Sequence, residues 1–278
     1  MPMSQKTLTV NRDPKDIHVV VRLFDAEYNK PRLGDCGMER QDRRKIANQF
    51  AEEEIPSRYV YPKGYKVKGI AEQISILRQL FPGIGFADEK IAEHPLPPCA
   101  EGWFAIPKWQ MIAPTYGEAV EKVLEALASR RKFCNYRNGQ LGPKHLRQRT
   151  RAVSMFQNLS DKQKDSDILV VPAQFGLYRK GRSVRRARKV FVGDEFGLGV
   201  FAVGIMMLTH PERLVRWEQL HVDCSGDEFA LGADGDFSSA LAFYFDKGML
   251  RLDAYWHGGV VEHYGSASAF VPQEPILA

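Results

Sequence analysis

The sequence predicts an α+β protein: a central layer of three or four helices, one fully buried, with a C-terminal antiparallel sheet. Three observations carry this expectation. Apolar residues recur at helical spacing between residues 115 and 159. Residues 196–209 form an uncharged run, apolar on every side, which predicts a buried helix. After Glu218 the period drops to two, the mark of strands with one dry face and one wet face.

The elements follow in chain order. Residues 17–24 (IHVVVRLF) are rich in β-branched side chains and predict a strand. Ile46 and Phe50 make a short helical pair. Ile70, Ile74, Leu77 and Leu80 predict a helix within 67–81, stopped by Pro82 and Gly83. Pro95, Pro97, Pro98 and Pro107 then enclose Trp103, Phe104 and Trp109. Prolines favour extended backbone and the aromatics resist exposure, so an ordered crossover is expected here. It separates a mixed strand and helix region, 1–93, packed on the rest, from a main α+β domain, 107–278.

Thr115 with Glu118 forms a capping box, and Val120, Val123, Leu124 and Leu127 give the stripe of the helix that follows. A second helix is expected over 143–159, with Leu146, Val153, Phe156 and Leu159 facing inward. The run ILVVPAQF after Asp167 predicts a buried strand bounded by Pro172. Ser183 caps a helix whose apolar side is Val184, Ala187 and Phe191. In 219–224, Leu220, Val222 and Cys224 alternate with Gln219, His221 and Asp223. Segments 241–245 and 249–256 repeat the pattern around Asp246, Lys247 and Gly248, which predicts a hairpin.

Of 278 residues, 44% are apolar and 26% charged, the composition of an ordinary globular chain. Cys36, Cys99, Cys134 and Cys224 are widely spaced with no CxxC pair, so reduced thiols are expected. The longest apolar run, fourteen residues, is shorter than the roughly 20 that a membrane helix needs. No signal-like segment opens the chain, so the expectation is a cytoplasmic protein with no membrane partner.

Function is sought first in the net charge of +5 and in the segment 179–189, RKGRSVRRARK, which holds seven cations, five of them arginines. Arginine's planar fork suits phosphate, and affinity for a polyanion grows with each phosphate neutralised. The leading expectation is therefore a nucleic-acid-binding protein that grips the phosphate backbone through Arg182, Arg185, Arg186, Arg188 and Lys189, with Arg147, Arg149 and Arg151 in support. Sequence readout by a helix-turn-helix is not expected, because the second helix would be the apolar one. No cofactor is required by this reading.

The alternative is a metal-assisted phosphodiester hydrolase holding Mg²⁺ or Mn²⁺. It would use the acidic stretch 223–236, with Asp223, Asp227 and Glu228 as ligands and His221, Asp223 and Asp253 in catalysis. A further alternative is an assembly protein whose arginines contact another subunit and which has no catalytic site. The aromatics of 243–256 are read mainly as core, with Tyr244 and Tyr255 set apart because they share the opposite face. No nucleophile elbow, dinucleotide fingerprint or phosphate loop is present.

Overall fold

The computed structural model describes residues 8–9, 18–19, 48–191 and 193–272. The chain divides into two compact units, Met1–Gln49 and Phe50–Ala278. In the first, β1 (Leu8–Thr9) pairs antiparallel with β2 (His18–Val19). The rest of the strand expected over 17–24, together with Ile46 and Cys36, lies outside the described residues.

The second unit is α+β. Four strands form one antiparallel sheet in the order β3 (Gly102–Pro107), β6 (Ile168–Gln174), β13 (Ser268–Phe270), β7 (Glu195–Gly197). A seven-stranded sheet runs β12 (Tyr264–Ser266), β8 (His221–Asp223), β10 (Ser239–Asp246), β11 (Met249–Trp256), β4 (Phe133–Asn135). Its branch is β9 (Asp227–Phe229), which pairs with β10 and with β5 (Leu146–Gln148). The larger sheet is mixed and not purely antiparallel, because β4 joins β11 and β12 joins β8 in parallel.

The proline and aromatic segment is a sheet strand, β3, buried along its whole length. It is fastened to α1 (Ile70–Leu80) by the buried amide of Gln73, which donates to Trp103 O at 2.8 Å and accepts from Ala105 N at 3.0 Å. On the other side of β3, β6 runs straight through Pro172. Val170, two residues earlier and opposite Ala105 of β3 in the ladder, directs its N and O to the Gln163 side chain, which bonds both. Pro172, with the same orientation, has no N–H to satisfy.

The capping box at Thr115 and Glu118 opens α2 (Tyr116–Arg130) as expected. The helix expected over 143–159 is shorter, α3 (Thr150–Lys162). Residues 146–148 instead extend as β5, because Leu146 and Arg147 find partners across the ladder in Phe229 and Glu228. Ser183 caps α4 (Val184–Val190), its Oγ accepting from Arg186 N at 2.9 Å.

The apolar run splits: Glu195–Gly197 supply strand β7, and only Val200–Thr209 are helical, as α5. Every residue of α5 is buried, and burying one such aliphatic side chain contributes roughly 1.5–3 kcal/mol. Gly204 brings α5 against α2, since a Cβ there would lie 2.6 Å from Val123 Cγ1. Ten residues make α5 too short to span a bilayer, and no helix among the described residues is long and apolar enough to do so.

The β10–β11 hairpin turns on Lys247 and Gly248, both with positive φ, the two-residue turn whose twist matches the strands. The two sheets meet where Gly176, after β6, passes Gly265 of β12: a Cβ on Gly265 would fall 2.3 Å from Gly176 O. Backbone cannot yield there as a side-chain tip can. Gly265→Ala is therefore expected to lower stability by roughly 1–3 kcal/mol in urea unfolding. A loss under ~0.5 kcal/mol, within the range of ordinary surface substitutions, would show that the two sheets are not so closely tied.

Candidate functional site

The arginines of the basic stretch are bound into the fold. Arg179 is buried and forks onto Glu195, with Nε 2.9 Å from Oε1. Arg182 and Arg186 both reach Glu54, Arg186 at 3.3 Å, and Arg185 pairs with Glu53. Arg188 donates from Nε to Ser225 O at 3.0 Å and from Nη2 to Asp227 O. Burial lowers the Arg188 pKa to about 10, the nearby Arg149 adding to the effect. Lys189 is exposed.

The supporting arginines behave in the same way. Arg147 on β5 and Arg149, between β5 and α3, converge on Glu228, Arg147 at 2.8 Å. Arg151, inside α3, donates to the carbonyls of Gly193 and Glu195, each at 2.8 Å. Thus the arginines expected to hold phosphates form a network of ion pairs and carbonyl contacts, and of the expected set Lys189, Arg147 and Arg151 are exposed.

The acidic stretch does not converge. Asp227 is buried and its carboxylate accepts from Val200 N, the first amide of α5, at 2.6 Å and from Tyr116 Oη at 2.8 Å. Glu228, its neighbour on β9, points the other way toward Arg147 and Arg149. Among the described residues no group of three or more His, Cys, Asp or Glu is placed to hold a metal ion. The set Asp223, Asp227 and Glu228 is thus not assembled as ligands, because two of its members are committed elsewhere.

His221 and Asp223 on β8 and Arg251 and Asp253 on β11 do share one face, in two rows that cross the intervening β10. The register sets His221 opposite Tyr244 and Arg251, and Asp223 opposite Ala242 and Asp253. Two strand spacings put the carboxylates of one row on the order of 10 Å apart. Asp253 is held by Arg137, Nε to Oδ1 2.7 Å. His221 has no exposed surface, and burial, reinforced by His263, drops its pKa to about 3. It is a neutral ring in a packed layer and not a base open to substrate, a correction to the wet face expected for this strand.

That layer is the site's most distinctive feature. Ring centroids step from Tyr59 to His263 (5.5 Å), on to Trp217 (5.2 Å) and His221 (5.0 Å), and from His221 to Tyr264 (5.0 Å) and Tyr244 (6.0 Å). Tyr255 closes the set, 6.1 Å from Tyr244 and 6.0 Å from Tyr264. Arg251 extends it by donating to Tyr136 Oη at 2.6 Å. His221 and Tyr244 are buried and Tyr59, His263 and Tyr264 half-buried, whereas Trp217 and Tyr255 remain 44% exposed and Tyr136 48% exposed. Arg58 and Arg216, each next in sequence to a ring of the layer, are exposed as well. At the end of β11, Trp256 is exposed with Arg185 5.3 Å from its ring.

Of these rings the alternation in 243–256 singles out Tyr244 and Tyr255. Tyr264 sits on a strand of three residues, and Trp217, His263 and Tyr59 lie in loops, so no periodic signal marks them. Compared with known protein families, with curated proteins and with solved structures, the chain matches none.

Asp223 lies beneath this layer. Burial raises its pKa to about 7, partly opposed by Arg188. A carboxyl raised above its unfolded value of 3.8 holds its proton longer when folded, so it costs stability as pH climbs from about 4 to about 7. Asp223→Asn removes that cost. It should match the parent near pH 4 and exceed it by roughly 1–3 kcal/mol at pH 8. A difference that does not change with pH would refute the assignment.

Proposed function

We propose that this protein binds single-stranded nucleic acid by stacking bases on the aromatic layer of the seven-stranded sheet. The observation that carries the reading is the line of rings in which Trp217, Tyr255 and Tyr136 stay about half exposed while His221 and Tyr244 among them are buried. Large rings are costly to leave in water, and a base covers them without demanding a particular sequence. Exposed Arg58 and Arg216 stand beside Tyr59 and Trp217, where a bound strand's phosphates would run. Lys189 and the Arg185–Trp256 pair add a second cationic and aromatic patch.

In this reading the basic helix is chiefly a frame, and the contacts move from its paired arginines to the ring layer and its rim. A duplex keeps its bases stacked inside, so a ring platform selects unpaired strands. The layered arrangement of the helices and a cytoplasmic setting, in which Cys99, Cys134 and Cys224 stay reduced, belong to the same proposal.

Fluorescence anisotropy with a labelled mixed-sequence oligonucleotide tests it. A single strand is expected to bind more tightly than the duplex and to lose at least about tenfold in affinity between 50 and 200 mM salt. Trp217→Ala and Tyr255→Ala should each weaken binding by roughly 5- to 100-fold, from about 1–3 kcal/mol of stacking per base. No binding at low salt, or binding that both variants leave intact, overturns the proposal.

A further inference from the structure

A second feature, which does not rest on the nucleic-acid reading, is an open cleft of about 620 Å³. One wall is the segment leading into α1, pressed so closely on β3 that a Cβ on Gly102 would lie 2.6 Å from Val67 Cγ1. Into this cleft the fold brings Tyr61, Tyr65, Trp103 and Glu101, among apolar neighbours such as Leu96 and Leu177.

The Tyr61 and Tyr65 rings that line it pack edge to face, at 86° with centroids 5.4 Å apart. Glu101 is the acid of the set: its Oε1 accepts from Tyr61 Oη and its Oε2 from Phe175 N at 3.1 Å. Burial raises its pKa to about 6, against which Tyr61 and Arg213 act. The Tyr65 hydroxyl is buried with no hydrogen-bond partner among the described residues. Arg213 sets its guanidinium 3.5 Å from the Tyr61 ring centre, so a cation already rests on this ring.

Aromatic rings and a carboxylate lining one cleft are the chemistry that holds an ammonium group carrying methyl substituents. The ring faces attract the charge, the apolar walls take the methyls, and the carboxylate balances the charge. The rim does not oppose this strongly. Lys68 is held by Thr209 O at 2.9 Å and faces Glu72 at 3.8 Å and Glu212 at 3.5 Å, while Lys66 is exposed.

We infer that the Tyr61–Tyr65–Trp103–Glu101 cleft is a binding site for a methylated ammonium group. Two sources share this chemistry: a free small quaternary amine and a methylated lysine side chain on a peptide. Titration calorimetry on the whole chain, with choline in one arm and a trimethyllysine peptide in another, separates them.

Saturable binding in either arm is expected, at least about tenfold tighter than that of the uncharged isostere 3,3-dimethylbutan-1-ol or of the unmodified-lysine peptide. Tyr65→Phe keeps the ring and should keep binding. Tyr65→Leu and Glu101→Gln should each weaken it about tenfold, with far-UV circular dichroism and thermal melts confirming that both variants fold. Equal affinity for choline and its neutral isostere, or no saturable binding in either arm at millimolar concentration, overturns the assignment. So does binding that folded Tyr65→Leu and Glu101→Gln both leave unchanged.

Discussion

The buried fork between Arg179 and Glu195 is the contact on which the second unit's architecture depends. A guanidinium taken out of water is tolerable only if its charge and its N–H groups are met, and Glu195 meets both from β7. The same glutamate accepts from Ser268 Oγ on β13 at 2.8 Å, and its backbone carbonyl receives Arg151 from α3. One acid thus joins the turn after β6, two neighbouring strands and a helix. The run of arginines that follows repeats the device with Glu53, Glu54 and the carbonyls near Asp227.

Asp227 does at the other end of the chain's charge scale what Arg179 does at this one. It caps the most apolar helix with a carboxylate, where the unsatisfied first amides of α5 and their partial positive charge favour an anion. Burial nevertheless raises its pKa to about 7, with Val200 N, Tyr116 and Arg188 pulling it back. The charges of Arg179, Glu195 and Asp227 thus position helices and strands against one another. Aromatic rings are among what the packing leaves open: Trp217 and Tyr255 in the layer around His221, and the cleft that Tyr61, Tyr65 and Glu101 line.

Local chemistry made several elements legible in the sequence. The Thr115–Glu118 box, the Ser183 cap and the turn at Gly248 each depend on residues within a few positions, and each lies where local reasoning places it. Features that depend on distant partners were not legible. Residues 146–148 read as helix because their ladder partner, 227–229, is some eighty positions away. Likewise Phe196 and Gly197 looked like the start of an apolar helix until β13 offered its edge.

The functional surface was less legible than the fold, and for the same reason. RKGRSVRRARK looks like an exposed polyanion site because nothing nearby in sequence neutralises it; its acids come from residues 53, 54 and 195. The ring layer was half visible, since Tyr244 and Tyr255 alternate on long strands, while Trp217, His263 and Tyr59 join it only through tertiary packing.

The central claim is that the basic stretch is framework before it is surface, and the unfolding free energy of Arg179→Ala tests it most directly. Removing one partner of a buried ion pair leaves the other charge uncompensated, so a loss of about 3–5 kcal/mol in urea unfolding is expected. The exposed Lys189→Ala, measured alongside, should change stability by less than about 0.5 kcal/mol. A loss for Arg179→Ala no larger than that for Lys189→Ala would contradict the account.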